Sequence, residues 1–156
     1  METIDNSTEQ KTKALPTFLK VICILSFIGI GLGLIFGLNS TINHNKELAK
    51  MEAQIDQLEA LGFSYDLYEK TVKHGQMINI IGLIANLGCL LGVLWMWKLK
   101  KKGFYVYTFF EIAPSILTLI VYGSSFGAFG PIVFVVSFLF PVAFIIMYAT
   151  NLKYMS

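Results

Sequence analysis

The carboxylate of Glu111 is the side chain in this sequence whose type and position point most directly to chemistry. It lies inside the apolar run 104–122, which contains no other charged residue. A run of this length can cross a bilayer, where an acidic side chain is costly unless it is neutralised, paired or hydrated. An acid at such a position therefore indicates a candidate functional site.

Three roles for Glu111 are open. As a neutral acid, it can hydrogen-bond to Asn86, to a serine or to a free backbone carbonyl and so hold helices together. It can instead turn toward the lysines near the end of its span and pair with Lys20 or with water. Finally, it can be a proton or cation site linked to a conformational change. The first role is favoured, because a coupled transporter is expected to carry a second intramembrane charge.

Other polar side chains fall at comparable depth in the remaining apolar runs. Ser115 follows Glu111 by four residues and shares its helix face, and Pro114 frees the backbone carbonyl of Phe110 beside it. We therefore predict an intramembrane polar site to which each span contributes. At about 1.5 Å per residue from the lysine-rich boundary, the polar and thiol side chains at depths of roughly 9–16 Å are Glu111, Ser26, Cys89, Asn86, Ser115 and Ser137.

The sequence contains no recognisable catalytic or metal-binding pattern. His44 and His74 lie between the first two apolar runs in no metal-ligand spacing, so we expect both to be solvated. Cys23 and Cys89 lie inside apolar runs, where thiols usually behave as small apolar groups. We therefore predict that the protein is not an enzyme and that it holds neither a metal ion nor a cofactor.

The composition indicates a membrane protein. Of the 156 residues, 55% are hydrophobic and 14% are charged, against about 25% charged residues in soluble domains. The net charge of +2 gives no indication of a nucleic-acid partner. Apolar runs long enough for a hydrocarbon core of about 30 Å occupy residues 18–38, 77–97, 104–122 and 131–148. We predict an all-α integral membrane fold, with a disordered cytoplasmic leader (1–14) and a single four-helix transmembrane domain (15–156).

The placement of lysines predicts the orientation of the spans. Lysines precede the first span, form most of the link between the second and third, and follow the fourth. Loops with an excess of lysine are retained on the cytoplasmic side. We therefore predict cytoplasmic termini. Lysines in the link between the second and third spans are also expected to meet anionic lipid headgroups; these are Lys98, Lys100, Lys101 and Lys102. Aromatic residues near the same boundary suit an interfacial belt: Trp95, Trp97, Tyr105, Tyr107, Tyr148 and Tyr154.

Residues 39–76 are predicted to form an extracytoplasmic helical hairpin between the first two spans. Gly62 suits a helix end, with Phe63 making its hydrophobic contact, and Ser64 can cap a second helix that continues into the second span. The hairpin either rests on the bundle and headgroups or receives a partner. The apolar residues of its first half share one helix face: Leu48, Met51, Ile55 and Leu58.

Glycines spaced by four residues indicate close helix packing in two spans. Gly29, Gly33 and Gly37 recur on one face of the first span, and Gly88 and Gly92 on one face of the second. Small residues at this spacing let helix backbones approach closely inside a membrane. The two faces can pack on each other within one chain, or one of them can meet a second copy; the spacing does not distinguish these alternatives.

Two stretches of the sequence carry a resemblance to known proteins. Residues 15–18, leading into 21–29, and residues 97–105 look like those of small four-span bacterial membrane proteins of uncharacterised function. The resemblance implies a location in the bacterial inner membrane, and it implies no activity.

The function that these features favour is non-catalytic. We expect an accessory or assembly subunit of a larger membrane complex, or a homo-oligomer, that acts through helix–helix and outer-loop contacts. The alternative is an oligomeric transporter or channel that is linked to protons or cations through Glu111.

Overall fold

The structure, a computed structural model, describes residues 15–63, 65–127 and 130–156. The predicted leader, residues 1–14, and the predicted helix cap Ser64 lie outside these ranges. Within them the chain is helical and contains no strand. The α-helices are α1 (Thr17–Ile42), α2 (His44–Ala53), α3 (Ile55–Ala60), α4 (Tyr65–Trp97), α5 (Lys102–Tyr122) and α6 (Gly130–Ala149), and a short 3₁₀ helix spans Leu152–Tyr154.

Four of these helices, α1, α4, α5 and α6, are long and apolar enough to cross a membrane. Each coincides with one of the apolar runs of the sequence, so the predicted all-α fold with four candidate membrane helices is confirmed. The shortest, α6, has 20 residues, which corresponds to about 30 Å of helix. That length matches the hydrocarbon core of a bilayer.

The helix α4 is longer than a bilayer requires. Its 33 residues run without a break and span about 50 Å, so residues 65–76 extend beyond the apolar run. The short helices α2 and α3 pack beside α4, with the His44 ring against Gly75. The break before α4 is a Schellman ending: Phe63 N–H donates to the Leu58 carbonyl at 3.0 Å, and Gly62 takes a φ of +89°, a conformation that suits glycine.

The turn between α4 and α5 is held by the end of the chain. Leu99 has a φ of +58°, a left-handed conformation that costs a residue with a side chain about 1 kcal/mol. Ser156 brackets this turn: its N–H donates to the Leu99 carbonyl at 2.8 Å, and its carbonyl accepts from Lys101 N–H at 2.9 Å. The lysines that were expected to meet headgroups are all exposed around it: Lys98, Lys100, Lys101 and Lys102.

The hydrophobic core lies toward this lysine-rich end of the bundle. In α6, by contrast, only Pro141 and Tyr148 are buried, so most of its apolar surface faces outward, as expected of a lipid-facing helix. The core residues come mainly from the first half of α1, the second half of α4, the start of α5 and the end of α6: Leu19, Ile22, Cys23, Cys89, Val93, Met96, Tyr107 and Tyr148.

The glycines of α1 and α4 make close contacts, but with different partners. A Cβ at Gly33 would lie 2.7 Å from Asn86 Oδ1, so this face of α1 meets α4. A Cβ at Gly92 would lie 2.8 Å from the backbone nitrogen of Tyr107, and one at Gly88 would overlap the Phe110 ring. The nearest neighbours of Gly88 and Gly92 therefore belong to α5, and the predicted glycine faces of α1 and α4 do not pack primarily on each other.

The other two glycines of the α1 face differ from each other. A Cβ at Gly37 would lie 2.9 Å from a methyl group of Leu83 on α4, whereas a Cβ at Gly29 would have no atom within 4 Å. The contact between α1 and α4 is thus close at Gly33 and Gly37 and open at Gly29. The open position lies beside the recess described below.

Candidate functional site

Glu111 points from α5 toward α4. The Cys89 thiol, one of the buried groups of α4, donates to Glu111 Oε2 across 3.3 Å. Asn86, one of the predicted partners, instead donates to the Gly82 carbonyl of its own helix at 3.0 Å. Because a thiol is a weak donor, the contact with Cys89 orients the carboxyl group without saturating it.

A chain of buried hydroxyl groups continues from Glu111 to α1 and α6. The Tyr148 hydroxyl donates to Ser26 Oγ at 2.8 Å. The Tyr107 side chain lies within interaction range of both Ser26 and Glu111, and its ring packs edge-on against Tyr148 with centroids 5.1 Å apart. We call Glu111, Cys89, Tyr107, Ser26 and Tyr148 the polar cluster; it joins α1, α4, α5 and α6 through one set of side chains.

Two members of the polar cluster lie in a different place from the one that the sequence predicted. Tyr107 and Tyr148 were expected in an interfacial belt, but they are 3% and 0% exposed. The bundle is most tightly packed at this end, so a tyrosine near a helix end can point inward. The spacing contained the signal for one of them: Tyr107 precedes Glu111 by four residues and therefore shares its face. Trp95 and Tyr105 are exposed, as a belt residue should be.

The predicted polar layer is divided between two places in the bundle. Ser26, Asn86 and Glu111 border one common recess. Ser115 and Ser137 instead line a separate cavity of about 180 Å³ between α5 and α6. Cys89 contacts Glu111 as well, so the structure brings four of the six predicted residues together and separates Ser115 and Ser137 from them.

Glu111 borders two recesses, which also share Asn86. The first, which we call the α1/α6 recess, has a volume of about 280 Å³, and Ser26, Asn86 and Tyr107 line it beside Glu111. The second, the α4/α5 recess, has a volume of about 170 Å³ and is lined by Asn86, Cys89 and Glu111 among others. The carboxyl group is therefore accessible from outside the polar cluster, although its closest neighbours are buried.

The environment of His44 also differs from the sequence prediction. The residue was expected to be solvated but is only 7% exposed. It borders a cavity of about 360 Å³ beside the start of α2. In that cavity Ser40 donates to Glu47 at 2.8 Å, and Asn79 donates weakly to Ser40 at 3.4 Å. Among the described residues, no three His, Cys, Asp or Glu side chains are grouped to hold a metal ion.

At the end of the bundle opposite the α4–α5 turn, an ion pair within α4 is hydrogen-bonded to the link before α6. Asp66 accepts from Lys70 at 2.8 Å and from the buried Ser125 hydroxyl at 2.6 Å, while Lys70 also donates to Ser124 at 2.7 Å. The hydrogen bond from Lys70, followed by that from Ser125, lowers the pKa of Asp66 below its ordinary value. These groups fix the start of α4 against the chain that enters α6.

The chemistry open to the polar cluster is limited. Its one carboxyl group can accept hydrogen bonds or bind a cation, and among the described residues no second carboxylate lines the recesses beside it. The thiol that contacts it, Cys89, is buried. Comparison with known proteins gives no match to a family model, to a curated protein or to a solved structure. The function must therefore be inferred from this geometry.

Proposed function

We propose that the protein is a non-catalytic, multi-pass protein of the bacterial inner membrane. In this proposal it serves as an accessory or assembly subunit, or as a homo-oligomer, and it acts through helix–helix and outer-loop contacts. Both termini and the lysine-rich turn are cytoplasmic, with the lysines at the headgroups. The segment containing α2 and α3 is the extracytoplasmic hairpin.

The observation that carries this proposal is the incomplete burial of the apolar residues of α3. This helix carries part of the apolar face of residues 39–76, yet it contains no buried residue. Ile55 and Leu58 are only half-buried, so apolar surface on this side remains for another protein to cover. Such a helix is better suited to contact a partner than to complete the core of its own chain.

The polar cluster supports a structural role for Glu111. Cys89 and Tyr107 supply it with neighbours from the same chain, as the packing role requires. Hydrogen bonds between helices replace the hydrophobic driving force that is missing inside a membrane. A carboxyl group that is held in this way needs no ion to account for its presence.

The experiment compares two substitutions on α3. Leu58→Asp places a charge on its half-buried apolar face, and Gln57→Asp places the same charge on an exposed position of the same helix. Each variant is expressed at native level and isolated from its own membranes in mild detergent. We expect Leu58→Asp, but not Gln57→Asp, to lose a stoichiometric partner or the second copy. Equal recovery for both variants would contradict a role for this face.

A second candidate function is favoured by one observation. Glu111 borders both the α1/α6 and the α4/α5 recess, as an exchangeable proton or cation site in a transporter or channel would. Glu111→Gln distinguishes the two functions, because glutamine keeps an acceptor oxygen for Cys89 but cannot carry the negative charge. Loss of ion flux from proteoliposomes with the fold intact would favour transport, and unchanged partner recovery without any flux would favour the accessory role.

A further inference from the structure

The α1/α6 recess opens toward the lipid-facing surface of the bundle. Leu25 and Phe140 stand at its edge, and their side chains are 50% and 65% exposed. Its inner part is formed by buried groups, among them Ser26 and Tyr107. Both edge residues lie within helices that are long and apolar enough to cross a membrane. A molecule dissolved in the bilayer can therefore enter the recess sideways.

The walls of the recess have one charge-bearing group. Glu111 is the one acidic residue lining it, and no lysine or histidine of the described chain lines it. The remaining surface is largely apolar and aromatic, with Phe140 and Phe144 on the α6 side. Its volume of about 280 Å³ lies at the lower limit of small-molecule sites, which occupy about 300–1,000 Å³. Shape and charge thus select a compact apolar molecule with a single positive group.

We propose that the α1/α6 recess binds a hydrophobic organic cation, with its ammonium group at Glu111 and its apolar body against α1 and α6. A charge-assisted hydrogen bond to the carboxylate and the aromatic rings of the recess both favour a cation there. This inference names a ligand class for the second candidate function. It does not require transport, and its failure would leave the accessory role unaffected.

The test uses a matched pair of probes, 1-adamantylmethylammonium and the neutral 1-adamantylmethanol. Equilibrium binding is measured with the purified full-length protein in nanodiscs of zwitterionic phosphatidylcholine, which does not itself concentrate cations. A hydrogen bond to a charged group predicts that the cation binds the native protein about 10- to 100-fold more tightly than the alcohol. Glu111→Gln should remove this preference. Equal binding of both probes by the native protein, or an unchanged preference in Glu111→Gln, would overturn the proposal.

A second pair of variants tests whether the cation occupies the α1/α6 recess. A Cβ at Gly29 or at Gly31 would have no atom within 4 Å, but only Gly29 lines the recess. Gly29→Leu should therefore fill the recess and reduce cation binding by about 10-fold or more, whereas Gly31→Leu should leave it unchanged. Binding that depends on Glu111 but survives Gly29→Leu would place the cation in the α4/α5 recess and overturn the proposed site.

Discussion

At the scale of single residues, the polar cluster explains how an acid can lie inside an apolar helix bundle. Glu111 has no basic residue as its neighbour in the cluster; its neighbours there are the Cys89 thiol and the Tyr107 side chain. Desolvated polar groups are tolerated when they bond to one another, and they are costly when one member is removed. The shape of the acceptor should therefore matter more for folding than its charge.

The variants Glu111→Gln and Glu111→Leu separate the contribution of the hydrogen-bond acceptor from that of the charge. Glutamine keeps an acceptor for Cys89, so we expect the free energy of unfolding to fall by less than about 1 kcal/mol. Leucine leaves the neighbouring donors without an acceptor and should cost about 1–3 kcal/mol. Unfolding of both variants in the same detergent micelle measures the difference. Equal losses for glutamine and leucine would show that the charge itself, and not the hydrogen bonds, holds the cluster.

Asp66 gives a pH-dependent contribution at the opposite end of the bundle. Lys70 and then Ser125 lower its pKa in the folded state, so the folded state binds its proton less readily than the unfolded chain does. The stability it supplies is present above the unfolded pKa of about 3.9 and is lost as the pH falls through the lower folded pKa. Compared with Asp66→Asn, the native protein should be more stable at neutral pH and should lose that advantage in acid. A pH-independent difference would contradict this assignment.

At the scale of the helices, α4 is the element against which α1, α2, α3 and α5 pack, whereas α6 packs mainly on α5. Helix α4 makes the most extensive contacts, with α5 and then with α1, and α2 and α3 also pack beside it. Its glycines permit the close approach of α5: the groups facing Gly92 include backbone atoms of Tyr107 and Gly103. Backbone atoms cannot move aside as the end of a flexible side chain can, so this contact has little tolerance for added volume.

Gly92→Ala and Gly82→Ala provide a matched test on one helix. At Gly92 a Cβ would overlap α5 backbone, so we expect a loss of about 1–3 kcal/mol in the free energy of unfolding. At Gly82 a Cβ would meet nothing within 4 Å, and alanine should stabilise the helix by up to about 1 kcal/mol. Thermal unfolding in detergent measures both. If Gly92→Ala were as stable as Gly82→Ala, α4 and α5 would not be packed as described.

The positions of the helices along the chain could be predicted from the sequence more fully than the rotation of each helix about its axis. Apolar length determines where a span lies, whereas counting residues gives depth and no direction around the axis. Ser115 and Glu111 are four residues apart, so their directions differ by about 40° around the axis of an ideal helix. This difference is enough for them to line different cavities beside α5. Ser137 could not be assigned for the same reason. The burial of His44 depends on contacts between distant segments, which no local pattern contains.

At the scale of the whole molecule, four apolar helices are compatible with a multi-pass membrane protein. Four exposed lysines gather at the α4–α5 turn within five residues, from Lys98 to Lys102. The helices α2 and α3 lie beside the start of α4 in the chain, and both pack against α4. Lysine-rich segments remain on the cytoplasmic side. The proposed orientation therefore places these two ends of the bundle on opposite sides of the membrane.

Cysteine labelling checks this orientation. The native Cys23 and Cys89 are buried, so they should give little background with a membrane-impermeant maleimide. Gln54 and Lys101 are both exposed. In intact spheroplasts, Gln54→Cys should react and Lys101→Cys should react only after the membrane is permeabilised. The reverse pattern would invert the proposed topology.

In the proposed function, the protein acts in an assembly and not alone. The most direct measurement is the mass of the native complex, extracted from membranes at natural expression level and weighed by native mass spectrometry. We predict a mass well above the 17.5 kDa of a single chain, made up of further copies or of a stoichiometric partner. A mass of one chain with bound lipid only would contradict the claim.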